Sequence, residues 1–111
     1  SGVVAVSDSL GFYLESAVEV RSGKVPGSCS QPRYPPELLE AGVEGRVMVQ
    51  FVIGTDGRVE PWSLEVVSSA WSAFNESAQV AIRTCRFTPG RINGVPVRVR
   101  VQMPVNYIRG R

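Results

Sequence analysis

Between residues 45 and 69 the apolar side chains follow a strand period. Val47, Val49, Phe51 and Ile53 fall on alternate positions, with Arg46, Met48 and Gln50 between them. That period predicts a strand with one buried face and one wetter face. Gly54-Thr55-Asp56-Gly57 follows and predicts a tight turn, because glycine accepts a positive φ at little cost. Val59, Leu64 and Val66 then return along a second strand. The buried parity changes from odd to even between Val59 and Leu64, where Pro61 stands. A bulge or bend over residues 60–63 is therefore expected, since proline cannot donate to a ladder.

The longest alternation comes last. Val95, Val97, Val99, Val101, Met103, Val105 and Tyr107 share one parity, while Arg98, Arg100, Gln102 and Asn106 share the other. This predicts a strand from Val95 to about Ile108, entered through an Asn93-Gly94 hairpin turn. Pro96 and Pro104 each remove a ladder donor, which predicts a strand that is an edge over much of its length. An exposed edge invites pairing with another chain unless it is charged, twisted or occupied. Here the arginines supply charge, and a partner is an alternative.

Helical spacing appears twice. Phe74, Ala78, Ala81, Ile82 and Cys85 line one side of a predicted helix over residues 73–85, with Asn75, Gln79 and Arg83 on the other. Ser72 is its expected N-cap, and Arg83 and Arg86 complement the dipole at its end. Upstream, Pro32, Pro35 and Pro36 force an extended lead-in. A helix of about two turns should follow, with Glu37 near its positive end and Gly42 as its C-terminal cap. Tyr34 is the expected anchor, packing its ring while its hydroxyl reaches a polar partner. Residues 1–27 carry little pattern; Ala17 to Val20 alternates weakly, as a short strand would, and residues 22–27 read as loop. The chain thus divides into an arm over 1–28 and a domain over 29–111.

Composition narrows the function classes. A chain of 111 residues forms one domain. No apolar run approaches the ~20 residues that span a bilayer, and the run at residues 3–6 is far too short. No basic-then-apolar secretory signal opens the chain, and a start at Ser1 rather than methionine points to a piece of a longer protein. The net charge of +2 conceals an asymmetry: all ten carboxylates lie at or before Glu76, and seven arginines follow it. Such a field favours an acidic partner, or it is a solvated basic face. Nucleic acid is disfavoured, because no reader motif or aromatic–basic platform accompanies the arginines.

The chain has no histidine and two cysteines, Cys29 and Cys85. Two thiols fall short of a tetrahedral metal shell, so neither metal nor cofactor is expected. Outside the cytosol they would suit a disulfide; otherwise they are separate thiols, one of them buried. Catalysis is also unexpected. Lys24 is the sole lysine, Glu60 and Glu65 lie on a strand without a partnered nucleophile, and Cys85 has no imidazole. Asn75-Glu76-Ser77 fits a glycosylation acceptor, but inside a predicted helix it reads as coincidence.

The ordered set of motifs resembles the TonB C-terminal domain family, found in periplasmic energy transducers of Gram-negative bacteria. The likeness runs through Gln31-Pro32-Arg33-Tyr34-Pro35, Val43-Glu44-Gly45-Arg46-Val47, Thr55-Asp56-Gly57-Arg58-Val59 and Val66-Val67-Ser68-Ser69. It continues through Phe74, Ala78 and Ala81, Arg86-Phe87-Thr88-Pro89, Asn93-Gly94-Val95-Pro96-Val97 and Val101-Gln102-Met103-Pro104-Val105. It covers about residues 30–108. No single motif is specific; their order and spacing are. Where the family commonly has an aromatic residue, usually tryptophan, this chain has Cys85, and Cys29 precedes the QPRYP motif. The two departures together imply a Cys29–Cys85 bridge in an oxidising periplasm.

The resemblance implies an α+β fold, with two helices on one face of a three-stranded antiparallel sheet and the last strand's outer edge free. It implies that the TonB box of an outer-membrane transporter adds to that edge as a strand, by β-augmentation. The contact residues would be Val97, Arg98, Val99, Arg100, Val101, Gln102 and Met103, with Gln31, Pro32, Arg33 and Tyr34 as a second patch. The full-length protein would be anchored in the inner membrane by an N-terminal helix absent from this chain, and would there meet motor proteins. A periplasmic interaction or sensor module of TonB or TolA type is the alternative, and a free edge can also pair with a second copy.

Overall fold

The computed structural model describes residues 11–110. In chain order the strands and helices are β1 (Tyr13–Leu14), β2 (Gly23–Lys24), α1 (Pro36–Glu40), β3 (Gly45–Ile53), β4 (Glu65–Ser69), α2 (Asn75–Thr84), β5 (Phe87–Thr88), β6 (Gly90–Ile92), β7 (Val95–Val97) and β8 (Val99–Tyr107). The main sheet has the order β1-β8-β3-β4. Its spine is the antiparallel pair β3 and β8, in register from Gly45↔Tyr107 to Ile53↔Val99. β4 flanks β3 antiparallel, and β1 flanks β8 in parallel. Two small ribbons, β2 with β5 and β6 with β7, lie beside it.

The fold is α+β as expected, and its architecture corrects the expectation. The sheet has four strands and is mixed, where three antiparallel strands were expected, and α2 is its one main helix. α1 spans only five residues. Prolines at its start leave no room to lengthen it, and Gly42 (φ 75°) ends it with Val43 N–H on the Leu38 carbonyl and Gly42 N–H on that of Leu39. The fourth strand comes from the arm. Residues 1–10 of that arm, and Arg111, lie outside the described residues.

The central turn forms as its sequence requires. Gly54 N–H donates to the Arg58 carbonyl and Gly57 N–H to the Gly54 carbonyl. Gly57 has φ 82°, and a Cβ there would overlap the Phe87 carbonyl oxygen. The expected bend is a 3-10 turn over Pro61–Ser63. Its Ser63 hydroxyl accepts the Val52 N–H at 2.8 Å and donates to the Glu60 carbonyl at 2.6 Å. A second irregularity escaped the sequence pattern: Met48 faces Ser68 but Val49 faces Val66, so Val67 is the extra, exposed residue.

Helix α2 covers the odd-numbered face of β3 and β8. Phe74, Ala78 and Ile82 pack on Val47, Val49, Phe51, Val99 and Val105. Phe74 stacks on Tyr107 with centroids 4.1 Å apart, and Tyr34 meets both rings edge-on at 5.7 and 5.6 Å. The Tyr34 hydroxyl donates to the Val43 carbonyl, so Tyr34 anchors the lead-in as expected. Ser72 does not cap the helix. Ser72–Phe74 is a 3-10 turn without a side-chain cap, and α2 begins at Asn75. At the other end Cys85 is extended and bridged to Cys29, with the Arg86 guanidinium on the Thr84 and Cys85 carbonyls.

The last strand is divided, not continuous. β7 turns back on β6 through Asn93 (φ 52°) and Gly94 (φ 76°), while β8 joins the main sheet. The arm is woven in differently from its weak pattern as well. Glu15–Ala17 is a 3-10 turn, Val20 forms an isolated bridge with Arg91, and β2 lies in the expected loop.

Candidate partner-binding edge

One side of β8 faces β3; the other is the margin of the sheet. The Arg98 carbonyl accepts the Tyr13 N–H at 2.8 Å, so the backbone at Arg98 points outward. Successive residues alternate in direction along a strand, so Arg100, Gln102, Pro104 and Asn106 also direct their backbone groups to the margin. The missing N–H of Pro104 therefore faces out, and the ladder to β3 keeps its donors. This is why a nine-residue strand paired with β3 along its whole length tolerates a proline.

The margin has two halves. At Arg98 and Arg100 it is occupied by β1. Beyond Arg100, among the described residues, no strand pairs with it, and Gln102, Pro104 and Asn106 are exposed. The open half borders a groove of about 260 Å³ lined by the Cys29–Cys85 bridge, Pro32, Ile82, Met103 and Asn106. Past Asn106 it widens into a hollow of about 490 Å³, where Gln31, Pro32 and Tyr34 face Tyr107 and Arg109. The disulfide ties the start of the lead-in to the end of α2. Ser30 N–H on the Thr84 hydroxyl (2.7 Å) and the Ser28 hydroxyl, which accepts the Arg86 N–H (3.0 Å), reinforce that tie.

The residues singled out from the sequence are thus distributed unevenly. Gln31, Pro32 and Tyr34 stand beside the Asn106 end of β8. Arg33 turns the other way, into a hollow of about 600 Å³ against α2 that also carries Glu37 and Glu76. Val97 is in the β6–β7 ribbon. Val99 and Val101 are buried in the core, and Met103 is half-buried at the groove. Gln102 is on the open half, its amide 3.2 Å from Gln50 Oε1.

Arg98 and Arg100 are already engaged. The Arg98 guanidinium holds Glu60 through Nε at 2.8 Å and Nη2 at 2.6 Å and lies 5.9 Å from the Trp62 ring centre. That hydrogen bonding holds the Glu60 carboxyl below the usual carboxylate range, against the opposing effect of burial. Arg100 lies over the Phe12 ring at 5.4 Å. The pattern of the sequence missed Pro104 and Asn106 as margin residues, although their even parity, shared with Gln102, carried the signal. It gave no sign of Phe12, which is 3% exposed. No cluster of metal-ligating side chains occurs among the described residues.

Residues 30–108 match the family described as Gram-negative bacterial TonB protein C-terminal. The chain belongs to the TonB C-terminal family. Its similarity to Protein TonB of Vibrio cholerae is 35% identity over 77 residues, 69% of this chain and 31% of that protein. Against Protein TonB of Escherichia coli K12 it is 31% over 88 residues, 78% of this chain and 36% of that protein. The chain therefore spans about a third of the length of these relatives. The solution structure of the Pseudomonas aeruginosa TonB C-terminal domain superposes with a TM-score of 0.61 at 25% identity, covering 81% of this chain and 88% of that one. Among the described residues no helix is long and apolar enough to cross a membrane.

Proposed function

We propose that this chain is the periplasmic partner-binding end of a TonB-type energy transducer. An extended peptide, the TonB box of an outer-membrane transporter, adds to the outer margin of β8 and takes up its outward backbone groups. A longer chain, anchored in the inner membrane and engaged there by motor proteins, would pull on the transporter through this joint. The domain acts as a coupling element and not as an enzyme.

The observation that carries this reading is the open half of β8 at Gln102, Pro104 and Asn106, set against a groove lined by the disulfide and Pro32. Side chains of an added strand would alternate between that groove and solvent, which gives selectivity on top of backbone pairing. The test is to titrate peptides from transporter N-terminal segments while recording backbone amide shifts. Shifts are expected at Gln102, Asn106 and Tyr107 with Gln31 and Tyr34. Shifts confined to β4, or to Ala73, Glu76 and Val80 on the α2 side of the hollow around Arg33, would reject the site.

A further inference from the structure

The half of the β8 margin that β1 occupies is not separate from the half that is open. They are one continuous edge, and the arm sits on it as a partner strand would. Tyr13 N–H takes the Arg98 carbonyl, and the parallel register Tyr13↔Val99 directs the Arg100 N–H to the Tyr13 carbonyl. Phe12 is the plug of this contact. It lies under the Arg100 guanidinium and shares a hollow of about 350 Å³ with Val52, Trp62 and Leu64 on the sheet face away from α2. Gly11, with φ 84°, turns the chain into it.

The open half alone is a poor ladder. Pro104 has no N–H, so Gln102 and Asn106 are its outward donors, and they are separated by the proline. A partner strand extended over Arg98 and Arg100 gains the Arg100 donor and the Arg98 acceptor that β1 now holds.

We infer that the segment from Phe12 to Leu14 is a built-in competitor for the partner-binding edge. Full engagement of a partner strand requires its displacement from Arg98 and Arg100. This rests on the strand-addition reading above. While β1 is docked, the edge is only partly competent, and the measured dissociation constant is the intrinsic one divided by the undocked fraction. A partner that fits carries an apolar or aromatic side chain to take the place of Phe12 beneath Arg100.

The experiment compares the full chain with Tyr13→Pro, which removes the N–H donated to Arg98, and with Phe12→Ala, which removes the plug. Two readouts are taken: hydrogen exchange of the Arg100 amide, and titration with a synthetic transporter N-terminal peptide. Faster Arg100 exchange in both variants, with peptide binding tightened by about tenfold or more and new shifts reaching Arg98 and Arg100, is the expected result. Unchanged Arg100 exchange, or faster exchange with unchanged peptide affinity, overturns the competitor. If no peptide perturbs β8 in any of the three proteins, the strand-addition reading itself fails. Arg100 exchange then reports only whether the arm docks.

Discussion

Reducing the Cys29–Cys85 bridge removes a cross-link between residues 56 apart in sequence. On the chain-entropy model a closed loop of that length lowers the freedom of the unfolded chain by an amount worth roughly 4 kcal/mol. The folded state should lose little geometry. Ser28 and Ser30 remain hydrogen-bonded to Arg86 and Thr84, and Tyr34 still anchors the lead-in on Phe74 and Tyr107. For a domain this size 4 kcal/mol is a large share of the roughly 5–15 kcal/mol that separates folded from unfolded. It corresponds to a fall in melting temperature of about 15 °C or more. The assay is thermal unfolding followed by circular dichroism, for the oxidised protein, the protein in reductant, and the Cys29→Ala/Cys85→Ala variant. Thiol titration of the denatured, unreduced protein should find no free thiol. A reduced protein melting within about 3 °C of the oxidised one would refute the reasoning, because the loop would then contribute less than ~1 kcal/mol.

Gly57→Ala should destabilise the fold by about 2–4 kcal/mol. Its methyl group meets the Phe87 carbonyl and forces apart the Phe87 N–H bond to the Gly57 carbonyl; denaturant unfolding reads the change. Tyr107→Phe deletes hydroxyl contacts to Ser77 (2.5 Å) and the Phe74 carbonyl (3.2 Å) and should cost about 1–2 kcal/mol. The same variant should flatten the alkaline end of the stability profile. Burial raises the Tyr107 phenol above 10.0, so the unfolded chain releases that proton first. The associated stability is present below about pH 10 and is lost as pH rises through the folded pKa. Melting temperatures between pH 8 and 11 for the parent and the variant test the sign.

The legible parts of the fold were those in which a local pattern has one physical outcome. Alternation over residues 47–53 and 99–107 gave the sheet's spine. Asp56-Gly57 gave the turn after β3, Asn93-Gly94 that of the β6–β7 ribbon, and Pro61 located the bend. The helix was visible in the spacing of Phe74, Ala78 and Ile82, but its start was not. A serine before an apolar run resembles a cap whether or not the chain enters through a 3-10 turn. The fourth strand was illegible for a different reason. β1 is two residues long and has no period; its position follows from Phe12 finding Val52 and Arg100, a tertiary fit that no local pattern encodes. That one contact also redistributed the candidate site. It engaged Arg100, while Glu60 and Trp62 hold Arg98, and it left Gln102, Pro104 and Asn106 as the open margin. Pro104, read as the mark of an edge, does stand where the outer margin is open, and the ladder to β3 stays intact.

The claim that the outer margin of β8 receives a partner strand is tested most directly by Gln102→Pro. The substitution removes an outward N–H, no backbone donor to β3, and one exposed side-chain bond to Gln50, so the unfolding free energy should stay within about 1 kcal/mol of the parent. The account predicts that transporter-peptide binding, measured by calorimetry or amide shifts, weakens by at least about tenfold, the equivalent of ~1.4 kcal/mol. A folded Gln102→Pro protein that binds the peptide with unchanged affinity would contradict it.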